Sequence, residues 1–273
     1  LKLVVDGDRL MADGTSLGGD DGIAVAYGLA LLDGTGYKHP RIELVITVDE
    51  EVGMDGARAL DVTPLKAKQL VNLDSEEEGI FLSSCAGGAR VDLHFDSEIS
   101  IQRGVSCEIN VCGLQGGHSG EEIHRERGNA ICLLGRTLNR LLEKMELYLV
   151  DVKGGVADNA IPVQAKAKIL ITKYEKEDGL LQAVRGEDME KECILLLKTV
   201  CEKLDQELKI ELADKDSGVR IEVSTCKTED EEVIDREESK ILISLINSLP
   251  YGVQAMSRDM PGMVETYLNP GQI

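Results

Sequence analysis

The apolar positions of the first hundred residues fall in short blocks separated by glycine and acid. "IELVITV" (42–48) is a continuous apolar run of the kind a strand covered on both faces requires. "QLVNLD" (69–74) predicts a second strand, "GIAVAYGLALLDG" (22–34) a helix behind a glycine-rich turn, and "ARALDVTPLKA" a short helix and loop. Strands alternating with helices predict an α/β unit over 1–95 with a mostly parallel sheet. The pattern changes near residue 96. "VSCEINVCGL" alternates as a strand, 127–145 has helical spacing, and "ELYLVDVKGG" and "AKAKILITKY" read as two more strands. A long helix over 186–208 places Ile194, Leu195, Leu197, Val200 and Leu204 on one side, and "GVRIEVSTC" returns as a strand. The order β-α-β-β-α-β predicts an α+β ferredoxin-like unit over 100–226 within a second domain, 96–273. After it, "KTEDEEVIDREESK" (227–240) reads as a solvated linker. "KILISLINSLP" reads as a helix closed by Pro250, and "GMVETYLNPGQI" as a strand lacking a partner. Residues 235–273 are thus expected to begin a second unit.

Composition narrows the function classes. The 273 residues carry 30 Lys and Arg against 50 Asp and Glu, a formal net charge of -20, which disfavours a nucleic-acid backbone as partner. Aromatics make up 3%, with no Trp, so base-stacking platforms are not expected either. No apolar run approaches the ~20 residues of a membrane span, so no membrane partner is expected. Seven cysteines without a CxxC pair speak against a disulfide framework or a cysteine-ligated zinc site, and with no secretory leader in view the expected compartment is the reduced cytoplasm.

The candidate chemistry lies where the predicted strands end. Asp49, Glu50 and Glu51 follow one, and Asp74 with Glu76 to Glu78 follow the other. Asp20 and Asp21 precede the first helix, where either could also serve as its N-cap. Three acid clusters at one sheet edge would repel one another unless they bind cations. Neighbouring carboxylates such as Glu50 and Glu51 point to different sides of an extended chain, so one can ligate while the other acts as general base. Of the four histidines, His39, His94 and His124 read as surface or structural. His118 sits in "GLQGGHSGEEIH", behind two glycines that present it freely.

The ordered motifs "GTSLGGDDGIA", "TVDEEVGMDGA", "NLDSEEEG", "CAGG", "GLQGGHSGEEIH", "GNA" and "DNAIP" resemble the aminoacyl-histidine dipeptidases, a branch of the dinuclear zinc metallopeptidases of clan MH. The resemblance covers nearly the whole chain. It implies a catalytic domain with an inserted lid, two zinc ions with cobalt or manganese as substitutes, and hydrolysis of small Xaa-His peptides. By the same resemblance Asp20 bridges the metals, Glu51 and Asp74 are ligands and Glu50 is the general base. His118 then stabilises the oxyanion, Asn159 holds the substrate near its carboxylate, and the lid supports a homodimer. The family's upstream His-x-Asp and C-terminal His have no counterpart here, since no HxD precedes residue 20 and no His follows residue 124. The chain therefore reads as an internal piece of such an enzyme, with weak metal binding and poor catalysis of its own. The alternatives are an N-acyl amino acid deacylase of the same clan and a non-catalytic cation-binding or dimerisation module.

Overall fold

The computed structural model describes all residues except 16, 18–20, 35, 52, 76–78, 177 and 225. The chain divides into two compact units, Leu1–Cys85 and Ala86–Ile273.

The first unit opens with a hairpin of β1 (Leu3–Asp6) and β2 (Arg9–Ala12), paired antiparallel from Leu3 opposite Ala12 to Asp6 opposite Arg9. Gly7 turns it in the left-handed region at φ 61°. Helix α1 (Gly22–Leu32) starts at Asp21, whose carboxylate accepts from the Ala24 N–H at 3.1 Å. Gly28 is the buried residue of that helix, and the Leu44 side chain occupies the space a Cβ would need there. A short α2 spans Asp55–Ala59.

Two expectations fail in this unit. Residues 42–48 and 69–74 are not strands, and among the described residues the hairpin is the unit's only sheet, antiparallel rather than parallel. A strand exists through its ladder, and a buried parallel strand needs neighbours on both sides. Neither run has such a neighbour, so Ile46 and Leu70 stay 58% and 90% exposed. What orders this stretch is polar. Glu43 accepts from the Lys66 and Ala67 N–H groups at 2.8 Å each and pairs with Arg41, and the backbone bonds hold its carboxyl below the ordinary range.

The second unit has the predicted β-α-β-β-α-β order. Its strands are β3 (Ile99–Cys112), β4 (Met145–Gly154), β5 (Ala165–Glu175), β6 (Leu181–Ala183) and β7 (Arg220–Val223). The sheet runs β4-β5-β3-β7, antiparallel throughout, with β6 on the end of β5. Along β3, Val105, Cys107, Ile109 and Val111 enter the core, and their partners Ala165, Ala167, Ile169 and Ile171 on β5 do the same. The other face of the sheet is polar: Lys166 meets Glu108 at 3.2 Å and Asn110 donates to Glu222 at 3.0 Å.

Between the strands lie α3 (Ser119–Glu122), α4 (Ala130–Leu142) and α5 (Glu187–Glu211). Asn129 caps α4 through its side-chain oxygen, which accepts from Ile131 and Cys132 N–H. The buried line of α5 is Cys193, Leu197, Cys201, Leu204 and Leu208. Leu195 is not on it and is 66% exposed, because two residues from Cys193 is about 200° around the helix.

The acidic stretch 227–240 is no linker. Lys227–Ile234 forms β8, which pairs with Ile99–Ser106 of β3, and α6 (Arg236–Ser248) follows it. The acids are compensated across the sheet: Asp230 meets Arg103 at 3.0 Å, and Glu231 accepts from Ser106 and pairs with Lys168. Helix α6 joins the core through Ile243 and Ile246, and its buried Ser239 accepts from the Leu149 N–H of β4 at 3.0 Å. The final strand also has its partner, since β10 (Val264–Leu268) pairs with β9 (Gly252–Met256).

Cysteine usage departs from expectation at one place. Cys107 and Cys226 are joined, with sulfurs 2.07 Å apart, where the edge partner of β3 passes from β7 to β8. Spacing in sequence could not show this, because the two are 119 residues apart. Cys193 and Cys201 are buried thiols, pushed by burial up to about 12, which leaves them un-ionised and unreactive at neutral pH.

Glu146 on β4 is a buried carboxylate whose side chain is 6% exposed. Burial pushes its carboxyl up, but Lys173 and Thr172 hydrogen bonds and the Arg236 charge outweigh it, so the value falls below 4.5. Its two cationic partners, Lys173 and Arg236, are themselves about 40% exposed and can turn to water, so Glu146→Ala is expected to cost about 1–3 kcal/mol in urea unfolding. A depressed carboxyl stabilises above the unfolded-state value, so this contribution should fade as pH drops below 4.5 and through the folded value. The pH dependence of the urea midpoint in wild type and variant measures it.

Candidate functional site

The residues singled out in the sequence fall on both units. In the first, Asp49 turns the chain at φ 58°, and the Glu50 carbonyl accepts from Gly53 and Met54 N–H at 3.1 and 3.0 Å. Glu50 and Glu51 are exposed in this turn ahead of α2, and Gly56 N–H closes it onto the Val48 carbonyl at 3.1 Å. Asp74 is exposed, and its N–H donates to the Asn72 side chain at 3.3 Å. Asp20 and Glu76 to Glu78 lie outside the described residues. The choice between Asp20 and Asp21 as cap is decided for Asp21.

The carboxylates do not assemble into a visible metal centre. Among the described residues no three His, Cys, Asp or Glu side chains gather closely enough to hold an ion. Glu51 and Asp74 thus do not fit a resident metal by themselves. The expected sheet edge that would have gathered them is absent among the described residues, because the strands leading to it are not formed.

In the second unit, His118 and Asn159 are brought together. His118 bridges Ala160 in antiparallel fashion, Ser119 N–H donates to the Asn159 carbonyl at 2.8 Å, and Ile161 N–H to the Gly117 carbonyl at 2.8 Å. The "GGHSG" turn and the "DNAIP" loop are therefore one small ladder. Both glycines are required by it. Gly116 and Gly117 have φ of 67° and 133°, and a Cβ would collide with Val163 at the first and Glu122 at the second.

His118 is the N-cap of α3. Its Nδ1 accepts from the Gly120 and Glu121 N–H groups at 3.1 and 3.3 Å. Glu122 returns the favour, accepting from the His118 N–H at 3.1 Å, in the manner of a capping box stretched by one residue. That bond is the main reason its carboxyl titrates low, with Arg125 and Arg127 adding to it. The imidazole is exposed, and no described residue engages Nε2.

Several residues that were given no role in the sequence complete the arrangement. Asn269 donates to the Ala160 and Asp158 carbonyls at 2.9 and 3.3 Å, on either side of Asn159. The buried Asn129 donates in turn to the Asn269 side chain at 3.1 Å and the Pro270 carbonyl at 2.9 Å. Asp216, fully buried, accepts from Gln115 and Gly128 N–H at 2.6 Å each. Tyr251 donates to the Arg127 carbonyl at 2.7 Å, and burial pushes its hydroxyl well up. "GNA" and "LNPG" were the available signals, yet pairing across 140 positions is not written in either. The other histidines behave as surface residues: His39 lies on a loop with Nδ1 2.7 Å from the Pro40 carbonyl, and His94 and His124 are exposed.

Comparison with known proteins supplies what the site leaves open. Residues 109–190 match the peptidase dimerisation domain. The chain is 36% identical over 271 residues to the cytosol non-specific dipeptidase of Escherichia coli (strain K12), covering 98% of this chain and 52% of that protein. It is a homologue of that dipeptidase. The crystal structure of aminoacylhistidine dipeptidase from Vibrio alginolyticus aligns over 99% of this chain and 52% of that one, with a TM-score of 0.65 and 29% identity. The chain spans about half the length of both relatives. No helix among the described residues is long and apolar enough to cross a membrane.

The lack of a three-ligand group among the described residues has a measurable consequence. Equilibrium dialysis of the 273-residue chain against micromolar zinc is expected to retain well under one ion per chain, and Asp74→Asn should leave that figure unchanged. A first-row metal held by Glu51 and Asp74 would instead be lost in the variant.

Proposed function

We propose that the whole protein hydrolyses dipeptides, with Xaa-His peptides of the carnosine type as preferred substrates. The observation that carries this reading is the 36% identity to a dipeptidase over 271 residues, 98% of the chain. The name of the aligned structure, an aminoacylhistidine dipeptidase, supports the Xaa-His preference.

In this reading Glu50 takes a proton from the attacking water as oxygen adds to the scissile carbonyl carbon. It then passes that proton to the nitrogen as the C–N bond breaks. His118 donates to the oxyanion of the tetrahedral intermediate, the point at which electrostatic help lowers the barrier most. Asn159 holds the substrate near its carboxylate. Asp20, Glu51 and Asp74 are the proposed ligands of two zinc ions, with cobalt or manganese as substitutes. Among the described residues Glu51 and Asp74 do not form such a centre by themselves. The match to a dimerisation domain supports a homodimer, and the cytosolic name of the relative supports a cytoplasmic location.

The whole protein should cleave carnosine-like dipeptides in preference to N-acetyl amino acids. The reverse preference would identify a deacylase. Glu50→Gln is expected to lower kcat by about 10²–10⁴-fold with little change in KM. Full activity in that variant would remove Glu50 from the reaction.

A further inference from the structure

Two backbone N–H groups converge on Nδ1 of His118. An amide nitrogen can only donate, so Nδ1 must be the unprotonated nitrogen of the neutral ring and Nε2 must carry the hydrogen. The ring is thereby preset as a hydrogen-bond donor on its solvent side. What keeps the two amides in place is a closed circuit under the turn. Glu122 accepts from His118 N–H and pairs with Arg127 at 3.4 Å, and Arg127 donates to the Gly116 carbonyl on the other flank of the histidine. Arg125 adds a second cation to Glu122 at 2.6 Å. The circuit occupies the space beneath Gly117, where a side chain would strike both Glu122 and Arg127. Arg127 is itself only 14% exposed at its side chain and is held from behind by Tyr251 at its carbonyl.

We infer that Glu122 and Arg127 are positioning residues that hold His118 in its Nε2–H tautomer. The inference deepens the proposed role of His118 and rests on that reading for its catalytic meaning, although the tautomer itself does not. An oxyanion is stabilised by a donor already in place, whereas an Nδ1–H ring would present a lone pair to developing negative charge. Glu122 and Arg127 touch no reacting atom in this scheme; they act through the imidazole.

The test is the nitrogen spectrum of the 273-residue chain labelled with ¹⁵N-histidine, recorded at alkaline pH where the ring signals no longer change with pH, so that the rings are neutral. His118 is expected as a single Nε2–H tautomer, while the exposed His94 shows the mixture of a solvated ring. Glu122→Ala and Arg127→Ala should return His118 to the His94 pattern without changing the other histidines. If Glu122→Ala loses its far-ultraviolet dichroism, Glu122→Gln replaces it. Its amide can still accept from His118 N–H but cannot pair with Arg127, so partial mixing is expected. A mixed or Nδ1–H His118 in the wild type overturns the inference, as does an unchanged tautomer in variants that fold. In the whole protein Glu122→Ala should lower kcat about tenfold at constant KM. Should His118→Ala leave hydrolysis intact, the oxyanion role fails and the spectral result still stands on its own.

Discussion

The pairing of β3 with β5 governs the second unit. Seven consecutive pairs, Val105 with Ile171 through Val111 with Ala165, set which side chains enter the core. The strand period is two, so a slip by one residue would drive Glu108, Lys166 and Lys168 into the space of Ile109, Ala167 and Ile169. The helices follow from this register. Helix α4 lays Leu134, Leu138 and Leu141 on the same face, and α5 adds Leu197, Leu204 and Leu208. The His118 turn leaves the end of β3 and the 159 loop leads into β5, so the same two segments meet again beyond the sheet, in a register two positions away from that of β3 and β5.

The parts of the fold that could be read in advance are those whose information is local. Alternation in "VSCEINVCGL" and "AKAKILITKY" and the spacing in 127–145 report burial directly, and the ferredoxin-like order follows from them. Residues 227–234 read as a linker because a run of charge looks like solvation. Their acids lie along a strand whose neighbours carry Arg103, Lys168 and Ser106, and only the fold reveals that pairing. In the first unit the error ran the other way. Apolar content in 42–48 and 69–74 gives the wish for a strand, but the hydrogen-bonding neighbour must come from elsewhere in the chain.

The candidate site divides along the same line. His118 was legible because two adjacent glycines before a lone histidine have a backbone meaning, now visible as positive φ and the collisions a Cβ would make. Asn159 was reached through resemblance alone. The residues that organise both of them, Glu122, Arg127, Asn129 and Asn269, sit in ordinary helical or polar contexts and matter through contacts that span up to 140 positions. A linear reading weighs residue types near one another, and these act at a distance.

The bond between Cys107 and Cys226 makes most of the second unit a covalent ring. Residues 109–190, which match the dimerisation domain, lie wholly inside it. A protease that nicks the chain anywhere on that arc opens the backbone without releasing a piece, since both flanks remain tied at the seam between β7 and β8. Cys226 is half-buried at the edge of the core, while Cys107 lies within it. Whether the dimerisation region can be separated from the rest by a single cut is therefore decided by the thiol chemistry of its surroundings.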